Sequence, residues 1–300
     1  MAFSPDNYVS PQPFIESGKA TVPGLFKWHV RQNPSVDVFR FYTGNSVVGL
    51  TYRDVDKGML RAARMVSSFL ASASRQRRVV AVLAVADSVS YATVVLGIYR
   101  AGHVAFPISP RNSPAAVADL LRNTKTAHVL VSQDAHITAL TKEALVEFDC
   151  VSQHPMPSFE ELYPAGASSH DEGEVVDELE TPAYDPESPA LILHSSGSTN
   201  HPKPITWPHN ALIAWGACQL DKPGSIGALM GCHGIPMFHA MGTSAVIMAA
   251  ASGWVLCVFP PASPPTVPNP ENVFDGAVKT GVQFMYTAPS FIEVSGFRYG

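Results

Sequence analysis

Residues Ala190 to Pro204 read ALILHSSGSTNHPKP. Four apolar residues, Ala190 to Leu193, run into His194 and then into Ser195, Ser196, Gly197, Ser198 and Thr199. This pattern predicts a buried strand that empties into a loop with little side-chain bulk, whose backbone N–H groups can face an anion. Lys203 follows as the nearest cation, since no other Lys or Arg lies between Lys142 and Lys203. Hydroxyls, open N–H groups and one ammonium on a short loop are the chemistry of a phosphate cradle.

Neither common nucleotide loop is present, because the chain has no G-x-x-x-x-G-K-[ST] and no G-x-G-x-x-G. A Ser/Gly-rich surface linker is the bland alternative, but such linkers seldom follow an apolar strand or end in Pro-Lys-Pro. The run HSSGSTNHPKP resembles the signature loop of the adenylate-forming superfamily, which includes acyl- and aryl-CoA synthetases, luciferases and the adenylation domains of peptide synthetases and carboxylate reductases. In that family the loop binds the phosphates of ATP. The resemblance therefore implies phosphate contacts from Ser195, Ser196, Gly197, Ser198, Thr199, Asn200 and Lys203, with Mg²⁺ beside them. Asn200 stands where the family usually has Gly; Asn is among the few other residues that enter the left-handed region readily.

Upstream, residues 1–23 read as a lead-in, Thr21 to Asn33 as a short helix, and Phe39 to Thr51 as a hairpin turning at Gly44-Asn45. Val55, Met59, Ala62, Ala63, Val66, Phe69 and Leu70 mark an amphipathic helix over 53–74. VVAVLAVA, Val79 to Ala86, predicts a strand covered on both faces. Asp87 and Ser88 can cap a helix from about Val89 to Gly102; a strand at His103–Ser109, a helix at Pro114–Asn123 and a strand at Ala127–Ser132 follow. Strands alternating with helices predict an α/β fold of mostly parallel sheets flanked by helices. The phrase GIYRAGHVAFPISPRNSPAAVADLL resembles a second block of the same family, in its adenylation domains from fungal reductases and from synthetases without a condensation domain. The fold implied is a truncated form of the large N-terminal domain of acyl-CoA synthetases.

Downstream of the loop, Trp207-Pro208-His209 begins a helix; His209 matches a common family histidine, with a local hydrogen bond and a ligand contact equally open. In GIPMFHAMGTSAVIMAA, His239, Met241 and Gly242 resemble the block that opens a helix lining the acyl pocket and the thiol entry, which makes them the candidate substrate pocket. Two further strands are expected at Trp254–Phe259 and Val282–Thr287, with a helix at Glu271–Thr280 between them and another helix from Ala288-Pro289-Ser290. The domain division expected is 1–189 for a first α/β subdomain and 190–300 for the loop and an incomplete second one. The stretch from Glu143 to His201 carries thirteen carboxylates and no Lys or Arg, and reads as a solvated acidic connector, irregular over about 152–189, rather than a metal site.

With 46% hydrophobic and 15% charged residues the chain can bury a large core. A net charge of −5, with Arg75, Arg77 and Arg78 as the densest basic group, argues against nucleic acid. Cys150, Cys218, Cys232 and Cys257 have no C-x-x-C spacing and are expected as buried thiols in a reducing compartment. The N-terminus lacks a secretory pattern, so a cytoplasmic location is expected. The apolar run Ala245 to Phe259 is interrupted by Ser252 and Gly253 and followed by prolines, which predicts a buried helix and strand and no membrane span.

The resemblance implies an acid-activating ligase: a small carboxylic acid attacks the α-phosphorus of ATP, pyrophosphate leaves, and the acyl-adenylate passes to a thiol of CoA or phosphopantetheine, or is reduced. A carrier domain and further downstream domains are the partners implied. The family's adenine-binding segment, magnesium-coordinating Glu and catalytic Lys fall after residue 300, so no catalytic residue is assigned and the chain alone is not expected to form acyl-adenylate. The alternative reading is a catalytically inactive remnant or nucleotide-binding module.

Overall fold

The structure, a computed structural model, describes residues 7–70, 77–164, 185–195, 202–218 and 226–296. In chain order its elements are α1 (Gln12–Glu16), α2 (Val22–Gln32), β1 (Asp37–Tyr42), β2 (Val47–Thr51), α3 (Tyr52–Phe69), β3 (Val79–Leu83), α4 (Ser88–Arg100) and β4 (Val104–Pro107). Next come α5 (Pro114–Thr124), β5 (His128–Val131), α6 (Ala135–Ala144), β6 (Ser152–Pro155), α7 (Phe159–Leu162), β7 (Pro189–His194), β8 (Pro204–Pro208) and α8 (His209–Ala217). The last are β9 (Leu229–Gly231), α9 (Ala240–Ser252), β10 (Val255–Cys257), α10 (Pro270–Thr280), β11 (Phe284–Met285) and α11 (Pro289–Gly296).

Helix starts follow the polar residues that precede them. The Thr51 hydroxyl and Asp54 carboxylate form a reciprocal box at α3, and the Asp87, Ser113 and Asp134 side chains accept backbone N–H groups at α4, α5 and α6.

Among the described residues the strands form a six-stranded sheet, β6-β5-β3-β4-β7-β8, and a five-stranded sheet, β11-β9-β10-β1-β2. The first is parallel except for β8, which runs against β7; the second is parallel except for the hairpin partner β2. This is the expected α/β class. Ala81, Leu83 and Phe106 pack on one face of the larger sheet with Leu120 of α5 and Ile137 of α6. On the other face Val80, Val82 and Leu193 join a core with α3, α4 and α9 that reaches Phe39 and Leu256 of the smaller sheet. Both faces of β3 are thus apolar because both are covered.

Sheet membership does not divide at 189/190. The hairpin near the start of the chain joins the smaller sheet, with Phe39 opposite Leu256, while β7 and β8 complete the larger one, with Leu191 opposite Ala105. Long-range pairing of buried apolar strands, which no local pattern reveals, decides this.

The expectation of irregular structure from residue 152 needs correction. Residues 152–155 pair in parallel with β5, and α7 follows under a Ser158–Glu161 capping box with Leu162 fully buried. SQHP carries no apolar alternation because it is an edge strand with exposed residues on both faces, Ser152, Gln153 and Pro155 among them. Residues 165–184 of the expected connector lie outside the described residues. The strand β8 was also unexpected: it is an edge strand bounded by Pro204 and Pro208, where a missing N–H costs no ladder bond. Of the four cysteines, Cys232 and Cys257 are buried as expected, but Cys150 and Cys218 are exposed, in a surface turn and at the end of α8. Among the described residues no helix is long and apolar enough to cross a membrane; the apolar run at 245–259 is α9 and β10, buried throughout the interior.

Candidate functional site

The strand β7 delivers His194 and Ser195 to the carboxyl-end edge of the larger sheet, where loops of open parallel sheets gather around ligands. Pairing with β8 sets His194 opposite Pro204, so the stretch between them is a crossover from one strand to its antiparallel neighbour. The base of that loop is closed twice: the Ser195 N–H donates to the Lys203 carbonyl at 3.1 Å, and the Lys203 N–H donates to Ser195 Oγ at 3.0 Å. Lys203 is exposed, and among the described residues no carboxylate pairs with its ammonium, which leaves the charge open to a phosphate. Of the phosphate positions expected from the sequence, the structure therefore places Ser195 and Lys203; Ser196, Gly197, Ser198, Thr199 and Asn200 lie outside the described residues.

The expected pocket block opens α9. His239 caps the helix, its Nδ1 accepting from the Met241 N–H at 3.3 Å, and its ring is exposed. Met241 is half-buried and Gly242 is buried against the chain at Pro236 and Met237. The Thr243 hydroxyl ties that chain down, with the carbonyls of Met237 and His239 each 3.2 Å away. The two blocks, some distance apart in sequence, act on one another: His239 is among the groups that hold the His194 imidazole below its usual pKa, after burial as the larger cause.

A small apolar cavity lies between α4 and α9, lined by Tyr91, Val95, Tyr99, Met237, Thr243 and Ile247. It belongs to the neighbouring flank of α9; His239, Met241 and Gly242 are not in its lining.

His209 is resolved in favour of structure. Its ring is 1% exposed, and Nδ1 accepts the N–H of Val22 at 3.4 Å, one of the donors left over at the start of α2. Burial, then the Arg77 charge, pull its pKa down to about 4. Among the described residues there is no group of three or more His, Cys, Asp or Glu placed to hold a metal ion.

His194 is a residue that sequence reasoning passed over. Its Nε2 accepts the Ser109 N–H at 3.0 Å, and its Nδ1 lies 3.1 Å from the Ser195 carbonyl, so it joins the loop base to the turn between β4 and α5. The available signal was position: it is the first polar residue after an unbroken apolar strand.

Two mostly parallel sheets with helices between and around them define an α/β architecture. Solved structures share it. A fatty acyl CoA synthetase of Mycobacterium tuberculosis superposes with a TM-score of 0.69 at 18% identity, covering 91% of this chain and 50% of its own. The N-terminal subdomain of NpsA from Klebsiella oxytoca, solved with 3-hydroxybenzoyl-AMSN, superposes with a TM-score of 0.69 at 16% identity over 93% of this chain and 62% of its own. The model of the AMP-binding enzyme family matches residues 26–295, and the chain belongs to that family. Among its relatives, the adenylate-forming reductase Nps10 of Heterobasidion annosum is 35% identical over 296 residues, 92% of this chain. Nps9 of Serpula lacrymans, also an adenylate-forming reductase, is 26% identical over 287 residues. The chain spans 26% of the length of each of these two relatives.

Proposed function

We propose that the chain supplies the phosphate-binding loop and part of the acid pocket of an enzyme that activates a carboxylic acid by adenylation. The observation that carries this reading is the doubly hydrogen-bonded Ser195–Lys203 base with an exposed ammonium at its mouth. Family membership and the adenylate-forming relatives support it.

In this reading the carboxylate oxygen attacks the α-phosphorus of ATP and the bond to the β-phosphate oxygen breaks, releasing pyrophosphate. Lys203 and the hydroxyl and N–H groups of Ser195 to Asn200 meet the charge that builds on the departing phosphates. The donor set fits such a group: a flexible ammonium and neutral hydroxyls suit phosphate oxygens, with Mg²⁺ arriving on the phosphates themselves. His239, Met241 and Gly242 border the acid, and the acyl-adenylate passes on to a CoA or phosphopantetheine thiol, or to a reductase domain, as in a larger protein with carrier and downstream domains. Cys232 and Cys257, buried thiols outside any disulfide, accord with a reducing, cytoplasmic setting.

Exchange of labelled pyrophosphate into ATP, measured with a panel of aryl, alkyl and amino acids, tests the reaction. Exchange stimulated by one acid class is expected from the enzyme that contains this chain; nucleotide binding with no exchange for any acid would instead establish an inactive nucleotide-binding module. Lys203→Ala is expected to weaken ATP binding by roughly 10- to 100-fold, the equivalent of about 1.5–3 kcal/mol for a charged hydrogen bond, and to leave adenosine binding unchanged. Equal losses for the two ligands would remove Lys203 from the phosphates.

A further inference from the structure

Ser109 offers a backbone N–H, which can only donate, so the Nε2 it meets at 3.0 Å must be a lone pair. The Asn112 amide nitrogen, 3.5 Å from the same Nε2, points the same way. The single proton of the neutral ring then sits on Nδ1 and donates to the Ser195 carbonyl at 3.1 Å. Ser195 is in turn held at its N–H and its hydroxyl by the backbone of Lys203. One chain of hydrogen bonds therefore runs from the turn after β4, through an imidazole of defined tautomer, to both ends of the phosphate loop.

We propose that His194 is the positioning residue of that loop: as a neutral imidazole it registers Ser195 and Lys203 against the β4–α5 turn, and a second proton releases them. The inference rests on the phosphate-binding reading above and goes beyond it, to a residue that touches no phosphate. A proton on Nε2 would set N–H against N–H across 3.0 Å, so the ring would have to leave the Ser109 N–H. The charged and titratable groups on the elements around it are His239 at the start of α9, Arg111 beside Ser109, His136, whose Nε2 lies 3.1 Å from the Pro110 carbonyl, and Lys203 at the head of β8. The same elements also carry carboxylates, Asp134 at the start of α6 and Asp119 on α5 among them; burial and the charge of His239 disfavour the second proton, and the Ser195 carbonyl opposes them.

Titration calorimetry with ATP and with inorganic tripolyphosphate between pH 5.5 and 8 tests this on the wild-type protein, His194→Leu and His194→Gln, with thermal midpoints measured alongside. The expected result is a loss of about tenfold or more for both probes in His194→Leu at pH 7.5 with its midpoint within a few degrees of wild type. Partial rescue is expected in His194→Gln, which keeps an acceptor for Ser109. Wild-type affinity should fall more steeply towards pH 5.5 than that of His194→Gln, the difference isolating His194 from titration of the probes. Ring-nitrogen NMR should show His194 in the Nδ1–H form at neutral pH. Wild-type binding with His194→Leu unaffected, or parallel pH curves for wild type and His194→Gln, would overturn the inference alone. Absence of binding by the wild-type protein would overturn the phosphate reading, and this inference with it.

Discussion

Lowering the pH from 7.5 to 4.5 is expected to cost this protein most of its folding stability. Three histidines are almost completely buried, His29 at 0%, His209 at 1% and His233 at 3% exposure, and burial pulls each to a pKa of about 4. His29 is held as a neutral ring, with Nε2 donating to the Ala250 carbonyl at 2.6 Å and Nδ1 accepting from the Asn33 amide at 3.0 Å, and it stacks on Tyr52 at 4.1 Å. His233 lies edge-on to Phe259, and neither of its nitrogens has a partner among the described residues. The ordinary pKa of the unfolded side chain is about 6.5, so between 6.5 and 4 the unfolded chain binds more protons than the folded one. The stability these rings contribute is full above 6.5 and is lost as the pH falls towards 4. At pH 4.5 the loss is about 2.5 kcal/mol per ring, against about 5–15 kcal/mol for a whole domain. Urea midpoints at pH 7.5, 6 and 4.5 measure it, and a midpoint that stays level across that range would refute the account. His233→Leu separates one contribution: removing an unpaired buried ring is expected to raise stability at pH 7.5 by about 1–3 kcal/mol and to flatten the acid slope.

Gly242→Ala is expected to damage both fold and activity. In an ordinary exposed helix the change is mildly stabilising, by up to about 1 kcal/mol. Here a Cβ would lie 2.7 Å from the Met237 Cα and against the Pro236 carbonyl, both backbone atoms that cannot turn aside as a side chain can. Relief requires the chain from Pro236 to His239 to move off α9, against the bonds that Thr243 makes to it. Overpacking of this kind costs about 1–3 kcal/mol or more, so the sign of the ordinary Gly→Ala effect is reversed. On the proposed reading, in which the displaced segment's His239 borders the acid, acid-dependent pyrophosphate exchange by the enzyme that contains this chain should fall with the urea midpoint. A midpoint equal to or above that of wild type would show that the segment yields easily, and would remove the steric reason for glycine at this position.

Much of the architecture is legible in local pattern. The three-and-four spacing from Val55 to Val66 is α3, the β-branched run at 79–83 is a strand buried on both faces, and Asp87 caps the helix after it. The run at 195–203, proposed here to hold phosphate, stands out for a different reason, since small hydroxyl residues ending in Pro-Lys-Pro directly follow an apolar strand. What escaped local reading is polar or short. Residues 152–155 are a strand only because β5 offers them a ladder, and β8 is a strand only because β7 does. Asp87 could be assigned from its neighbours in sequence, whereas His194 could not, because its partner Ser109 is 85 residues away.

By itself, then, the sequence determined the alternation of strands and helices, and it marked the run from Ser195 to Lys203, proposed here as a phosphate loop, and the histidine and glycine at the start of α9, all of them properties of contiguous residues. Only the tertiary structure decided that the hairpin at 37–51 joins β10 in the smaller sheet and that β7 and β8 complete the larger one. It also decided that His209 serves α2 and that His194 joins two loops through a ring of one tautomer. These are choices among partners distant in sequence. Burial settles them, because a buried N–H or ring nitrogen must find its partner wherever the packed chain brings one within about 3 Å.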